Sequence, residues 1–136
     1  MYPEYLVAPM RQELTNAGFQ DLRTAAEVDQ AIKSEGTVLV MVNSVCGCAA
    51  ANARPAARIS TQNEKHPDRF ITVFAGMEKE AVDTARAHML PYPPSSPAIA
   101  LFKDGKLVHM IERHQIEGRP AQMIADNLSQ AFDQYC

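Results

Sequence analysis

The residues of this sequence best suited to covalent chemistry are two cysteines separated by a single glycine. Cys46, Gly47 and Cys48 follow an apolar segment and precede an alanine-rich one. A thiolate is the species that attacks a disulfide, and the first turn of a helix stabilises an anion through its unpaired backbone N–H groups and its dipole. The spacing therefore predicts that Cys46 is a nucleophile and that Cys48 can displace a mixed disulfide formed on it.

Gly47 matters because a disulfide between Cys46 and Cys48 would close a ring across one intervening residue. Such a ring asks for unusual backbone angles, which glycine accepts at low energy. A strained disulfide is more easily reduced, so we expect this pair to be more oxidising than a Cys-x-x-Cys pair.

The cysteine pair leaves other interpretations open. The thiols could carry a metal ion or an iron–sulfur cluster, pack as inert hydrophobic groups, or belong to a non-catalytic interaction module. A zinc site needs further ligands at matching spacings. The histidines are scattered along the chain, at His66, His88, His109 and His114. We therefore favour redox chemistry and predict no metal site.

The third cysteine is the last residue, Cys136. Chain ends are loosely held, so an exposed tail thiol is the simplest expectation. The alternative is a third thiol that resolves an intermediate or pairs with Cys46 or with another subunit.

The elements that position these residues follow from the apolar periodicity and the Gly and Pro signals. Helices are predicted at about residues 3–17, 24–34, 48–65, 78–89 and 120–135, the second opened by a capping box of Thr24 and Glu27. Strands are predicted at residues 19–23, 37–42, 70–75, 98–102 and 106–111, the last two joined by Asp104-Gly105. The proline-rich residues 90–97 are predicted to be irregular.

This order of elements predicts an α/β fold with a central mixed sheet flanked by helices on both faces. It is the order of a thioredoxin-like sheet with an extra N-terminal helix, and we expect residues 1–136 to form a single such domain. In that fold a proline at the position of Ser96-Pro97 has a cis peptide bond and lies beside the reactive cysteine, and we expect the same here; the alternative is a proline-rich loop with only trans bonds. Four cations could hold an anionic substrate or tune the thiolate, although we expect a solvated face for each: Arg54, Arg58, Arg113 and His114.

The composition excludes several classes of protein. A net charge of −3 argues against binding to nucleic acid, which requires clustered Lys and Arg. The longest apolar run, residues 38–42, is too short to cross a bilayer, and the N-terminus does not resemble a signal peptide. There is no Gly-rich dinucleotide segment, and sulfur chemistry needs no organic cofactor. We expect a cytoplasmic protein that does not bind membranes.

Several segments together resemble the bacilliredoxins. They are residues 42–50 around the cysteine pair, 53–56, 5–11, 91–97, 113–118 and the terminal Tyr135-Cys136. The resemblance covers nearly the whole chain.

This resemblance implies a bacterial cytoplasmic enzyme of thioredoxin-like fold that removes bacillithiol, a low-molecular-weight thiol, from mixed disulfides on proteins. By it, Cys46 takes the bacillithiol onto itself, and Cys48 can resolve the adduct as an internal disulfide. Free bacillithiol, acting as a co-substrate, would regenerate the enzyme. A general disulfide reductase or isomerase is the alternative. The sequence makes no prediction about the oligomeric state.

Overall fold

The computed structural model describes residues 1–136, apart from the side chain of Cys48. The strands are β1 Gln20–Asp21, β2 Thr37–Asn43, β3 Arg69–Phe74, β4 Ala98–Lys103 and β5 Lys106–Ile111. They form one sheet in the order β1-β3-β2-β4-β5. Strands β1, β3 and β2 run parallel to one another. Strand β4 is antiparallel to β2, and β5 is antiparallel to β4. The sheet is therefore mixed, as predicted.

Helices cover both faces of this sheet. They are α1 Glu4–Thr15, α2 Ala25–Lys33, α3 Gly47–Ser60, α4 Lys79–His88, α5 Arg113–Ile116 and α6 Ala121–Tyr135. On one face α3 packs against α6, and on the other α2 packs against α4. The apolar stripe of α6, carried by Ile124, Leu128 and Phe132, is buried as its helical spacing predicts. The additional helix α1 contacts α3 and β1.

Strand β2 lies at the centre of the sheet, and all seven of its residues are buried. Successive side chains of a strand point to opposite faces. Leu39 and Met41 accordingly enter the core beneath α3 and α6, whereas Val38, Val40 and Val42 enter the core beneath α2 and α4. A strand covered on both faces explains the continuously apolar sequence, and it fixes the point at which the Cys46 loop leaves the sheet.

One predicted helix boundary is wrong, and one short helix was not predicted. Helix α3 ends at Ser60 and not near residue 65, because the next residues close turns: the Thr61 N–H donates to the Arg58 carbonyl and the Asn63 side chain to the Lys65 carbonyl. The short helix α5 was not predicted from the sequence. Its N-terminus is capped by the Gln115 side chain, which accepts the Glu112 N–H at 2.9 Å.

The predicted hairpin turn and the predicted N-cap of α2 are both present in the structure. Asp104 and Gly105 both have positive φ, 50° and 81°, as a tight hairpin turn requires. Thr24 caps α2 by accepting the Glu27 N–H at 3.2 Å. The reciprocal bond of the predicted capping box differs, since the Glu27 carboxylate accepts from the Thr24 hydroxyl and the Arg23 N–H.

Candidate functional site

The cysteine segment forms the connection between β2 and α3. Cys46 is the N-cap residue of α3 and is partly buried, and Gly47 is the first helical residue. Gly47 has a φ of 43°, in the left-handed region that favours glycine, as the sequence predicts. The Cys46 sulfur therefore belongs to a residue at a helix N-terminus, where backbone N–H groups and the helix dipole favour a thiolate. Cys48, the predicted resolving residue, is in the first turn of α3, and its side chain lies outside the described residues.

Short hydrogen bonds fix the conformation of the loop before Cys46. The Cys46 N–H donates to Ser44 Oγ at 3.0 Å, and the Ser44 N–H donates to Asn43 Oδ1 at 2.8 Å. The Gly47 N–H bonds the Val45 carbonyl at 2.8 Å. The two polar side chains at the end of β2 thus satisfy loop N–H groups that have no sheet partner.

A buried arginine supports this loop from α3. Arg54 is only 7% exposed, and its Nη1 donates to the Ser44 carbonyl at 2.8 Å and to Asn43 Oδ1 at 3.2 Å. Its Nε donates to Glu13 Oε2 of α1 at 2.8 Å. The expectation of a solvated face for Arg54 is therefore wrong. A sequence signal exists, because Arg54 lies on the same helical stripe as the buried Ala50 and Ala57.

Helix α1 reaches the loop through a second contact. The Asn43 side-chain amide donates to the Met10 carbonyl at 3.1 Å. Together with the Arg54–Glu13 ion pair, this bond makes the predicted N-terminal helix a support of the candidate site.

The predicted proline directly follows a residue that lines the groove of Cys46. The Ser96-Pro97 peptide bond is cis, Pro97 is buried, and Ser96 lines the same groove as Cys46. The Leu90-Pro91 bond is also cis, which was not predicted. The groove is open to solvent, has a volume of about 250 Å³, and is lined by Tyr2, Ser44, Val45, Cys46, Ala75, Gly76 and Ser96. The wall formed by Tyr2 on Gly76 carries no signal in the sequence.

Arg113 of α5 borders the groove. Its Nη1 donates to the Ser96 carbonyl at 3.4 Å and its Nη2 to Glu117 at 3.1 Å. The hydrogen bond that Arg113 donates to Glu117 raises the pKa of Arg113, and the nearby Cys46 sulfur raises it further. Arg113 thus stands beside the candidate nucleophile and not on a purely solvated face. Arg58 and His114 are exposed, as expected.

Cys136 lies at the opposite end of the sheet. Its thiol is near Thr37 and Asp68, and burial raises the pKa of Cys136 while the Thr37 hydroxyl opposes that effect. Thr37 begins β2, and Cys46 follows the end of this seven-residue strand. Six steps of about 3.3 Å separate the ends by about 20 Å. Cys136 therefore cannot pair with Cys46 in the same chain without rearrangement, and pairing with another subunit stays a prediction.

The described part of the chain shows neither a metal-ligand cluster nor a membrane-spanning helix. Among the side chains that the structure describes, which exclude that of Cys48, no three of His, Cys, Asp and Glu are grouped so that they could bind a metal ion. Within the described residues, none of the helices has the length and apolar character needed to cross a membrane.

Known proteins are similar to this chain over nearly its whole length. A family model described as disulphide isomerase matches residues 2–136. A bacilliredoxin of Cytophaga hutchinsonii is 58% identical over 134 residues, which cover 98% of this chain and 99% of the relative. A bacilliredoxin of Koribacter versatilis is 53% identical and covers 100% of this chain and 94% of the relative.

Solved structures show the same fold at low sequence identity. A mutant thioredoxin from Halobacterium salinarum has a TM-score of 0.61 at 17% identity, covering 88% of this chain and 91% of that one. An oxidised thioredoxin from Plasmodium falciparum has a TM-score of 0.60 at 17% identity, covering 85% and 99%. The predicted thioredoxin-like fold is confirmed.

Proposed function

The chain belongs to the bacilliredoxin family and is a thiol–disulfide oxidoreductase, and from this premise we propose that it removes bacillithiol from mixed disulfides on other proteins. The observation that carries the proposal is the position of Cys46, which is the N-cap residue of α3 and lines an open groove together with Ser96, the residue before the cis-proline Pro97. An attacking thiol must be accessible to a disulfide, and this groove is open to solvent.

The proposed reaction is an exchange of sulfur–sulfur bonds. The Cys46 thiolate attacks the bacillithiol sulfur of the mixed disulfide, and a new bond forms between these two sulfurs. The substrate protein's sulfur leaves as a thiolate and takes up a proton from solvent. The product is a repaired protein thiol and a bacillithiol adduct on Cys46.

Two routes can resolve this adduct; the first leaves an internal disulfide that further small thiols must reduce, and only the second returns the reduced enzyme directly. In the first, the Cys48 thiolate attacks the Cys46 sulfur, so that an internal disulfide forms and bacillithiol leaves as a thiolate. In the second, free bacillithiol attacks the bacillithiol sulfur of the adduct, which releases the Cys46 thiolate and bacillithiol disulfide. The positive φ of Gly47 supports the first route, because it is an unusual backbone conformation at the residue the ring would span.

The proposal includes the setting of the reaction. We place the protein in the bacterial cytoplasm, where thiols stay reduced and reactive. Its partners would be S-bacillithiolated proteins and bacillithiol itself, and exchange between sulfurs needs no resident cofactor.

A second candidate function is general disulfide reduction or isomerisation. The description of the matching family model, disulphide isomerase, favours it. It differs from the first in having no preference for one small thiol, so a comparison of two adducts separates them.

The test offers the reduced protein a bacillithiolated model protein, with the glutathionylated form as control, and follows intact masses. We expect bacillithiol to move to the enzyme faster than glutathione does. Cys46→Ser should abolish transfer, Cys48→Ser should accumulate the adduct, and the distant Cys136→Ser should behave as the parent. Equal rates for both adducts would favour the general reductase. If neither adduct moves, exchange is the wrong chemistry, and bound metal in anaerobically purified protein becomes the next measurement.

A further inference from the structure

The groove at Cys46 is asymmetric in charge. The described residues that line it are apolar or neutral, and none of them carries a carboxylate. The cation at its rim is Arg113, which contacts the groove residue Ser96. A small thiol that becomes attached to Cys46 would therefore have a cation and no lining anion beside its substituents.

Arg113 is held in place by several contacts. Its backbone N–H donates to Ser95 Oγ at 3.4 Å, its Nη1 to the Ser96 carbonyl at 3.4 Å and its Nη2 to Glu117 at 3.1 Å. An arginine side chain has five N–H donors, so these bonds leave donors for a further acceptor. Because the guanidinium is already anchored, the arginine side chain loses less conformational entropy when it binds a ligand than a free lysine side chain would.

The charges around Arg113 leave it able to bind another anion. Glu117, four residues further along the chain, is exposed and pairs with only one nitrogen of the guanidinium, Nη2. Glu112, the next nearest carboxylate on this segment, is bonded to His114. The Cys46 sulfur also contributes to raising the pKa of Arg113, in agreement with their closeness.

We infer that Arg113 and the neutral groove around Cys46 form an anion subsite that selects low-molecular-weight thiols bearing a carboxylate. The inference rests on the proposed function and deepens it, since it names the chemistry by which the small thiol is recognised. In the exchange, the Cys46 thiolate bonds to the small thiol's sulfur and the substrate protein's thiolate leaves. The carboxylate then remains near Arg113 in the transition state and in the adduct. The guanidinium changes neither charge nor protonation during the step.

The expected effect is moderate because the subsite is open to water. Exposed ion pairs contribute about a factor of two to five, and a bidentate arginine–carboxylate contact contributes more. We therefore expect Arg113→Gln to slow transfer of an anionic thiol about fivefold more than it slows transfer of a neutral thiol.

The experiment uses one carrier protein with three small mixed disulfides that differ in charge. The modifying thiols are 3-mercaptopropionate, 2-mercaptoethanol and cysteamine, which carry a negative, a neutral and a positive group. For each probe the transfer rate of a variant is divided by that of the parent protein, so that the intrinsic reactivity of the probe cancels. The exposed Arg58→Gln is the matched control, because it changes the net charge equally at a position outside the groove.

Arg113→Gln should lower the ratio for 3-mercaptopropionate and raise or preserve it for cysteamine. Arg113→Lys should retain part of the preference, because it keeps the charge but not the fork geometry. Glu117→Gln should increase the preference by removing a competing carboxylate, and higher salt should weaken it.

Three results would overturn the inference. An equal loss for all three probes in Arg113→Gln would mean that this residue acts on the loop or on the Cys46 sulfur and not on the charge of the small thiol. Unchanged ratios for all probes would mean that Arg113 does not contact the small thiol. If the parent exchanges none of the three probes, the inferred selection of carboxylate-bearing thiols is overturned. In every case the transfer of bacillithiol itself tests the proposed function separately.

Discussion

Arg54 is the residue whose removal should damage the candidate site most without touching Cys46. It joins three segments through its donors: the loop before Cys46, the end of β2 and helix α1. Arg54→Met keeps an unbranched side chain of similar length and removes every one of these donors. We expect both a loss of stability and a less ordered loop.

The magnitude follows from the burial of the partners. The Ser44 carbonyl loses its charged donor in a buried environment, at a loss of about 1–3 kcal/mol. Asn43 Oδ1 keeps the Ser44 N–H as a donor, and Glu13, whose side chain is 36% exposed, can be hydrated again. Breaking a buried ion pair typically costs about 3–5 kcal/mol. Because the Arg54–Glu13 pair is partly exposed, we expect Arg54→Met to lower the free energy of unfolding by about 3 kcal/mol.

Converted to temperature, this loss is easily measured. Unfolding a chain of 136 residues changes the entropy by about 0.3 kcal/mol/K, so about 3 kcal/mol lowers the melting temperature by about 10 °C. Urea and thermal unfolding of the reduced protein would measure the effect. Glu13→Gln, which leaves the loop bonds intact, should lose about 1 kcal/mol, and the exposed Arg58→Met serves as the control for lost charge.

The reasoning also predicts slower chemistry. If the loop is held by Arg54, thiol transfer by Arg54→Met should fall at temperatures well below its melting point. A loss of stability below about 1 kcal/mol, or a loss no larger than that of Arg58→Met, would refute this account of Arg54.

Three further predictions concern other parts of the molecule. Arg11→Met should lower the free energy of unfolding by about 3 kcal/mol, as urea unfolding would show, because Arg11 is buried among three carboxylates. The pKa of Asp29 is lowered, first by its hydrogen bond with Lys33, so its stabilisation is present above the unfolded carboxyl pKa and is lost as the pH falls through the folded one. Asp29→Asn should therefore lower the urea midpoint more at pH 7 than at pH 3. Tyr2→Ala should slow thiol transfer roughly two- to fivefold by removing the aromatic wall of the groove, without lowering the melting temperature.

Each of these predictions has an outcome that would contradict it. A loss below about 1 kcal/mol for Arg11→Met would mean that these ion pairs contribute little to stability. An equal change at pH 7 and pH 3 for Asp29→Asn would remove the ion pair from the explanation. Parent-like transfer by Tyr2→Ala would show that this wall does not contact the small thiol, and Tyr5→Ala, at an exposed position of α1, is the matched control.

Much of the fold could be predicted because its signals are local. The run of apolar β-branched residues in β2 indicates a strand covered on both faces, and the hairpin at Asp104-Gly105 follows from residues that tolerate positive φ. The position of Cys46 between a strand and a helix follows in the same way. These features depend on neighbouring residues, which the sequence shows directly.

Local signals failed where competing bonds decided the outcome. The end of α3 is set by side-chain and turn hydrogen bonds around Asn63, and α5 is too short to show a helical period. Thr24 caps α2 as predicted, but the Glu27 carboxylate accepts from the Thr24 hydroxyl and the Arg23 N–H and not from the Thr24 N–H. The competing hydrogen bonds have similar energies, so the residue types alone do not predict which of them forms.

The sequence by itself therefore determined the candidate nucleophile Cys46, the element that presents it and the proline beside it. Only the tertiary structure decided that Arg54 lies beneath the loop, that Arg113 stands at the groove, and that Cys136 lies at the far end of the sheet. The physical reason is that hydrogen-bond and dipole effects within a turn act between sequence neighbours. The placement of a long charged side chain or a chain end depends instead on helices packing across the sheet, which residue spacing does not encode.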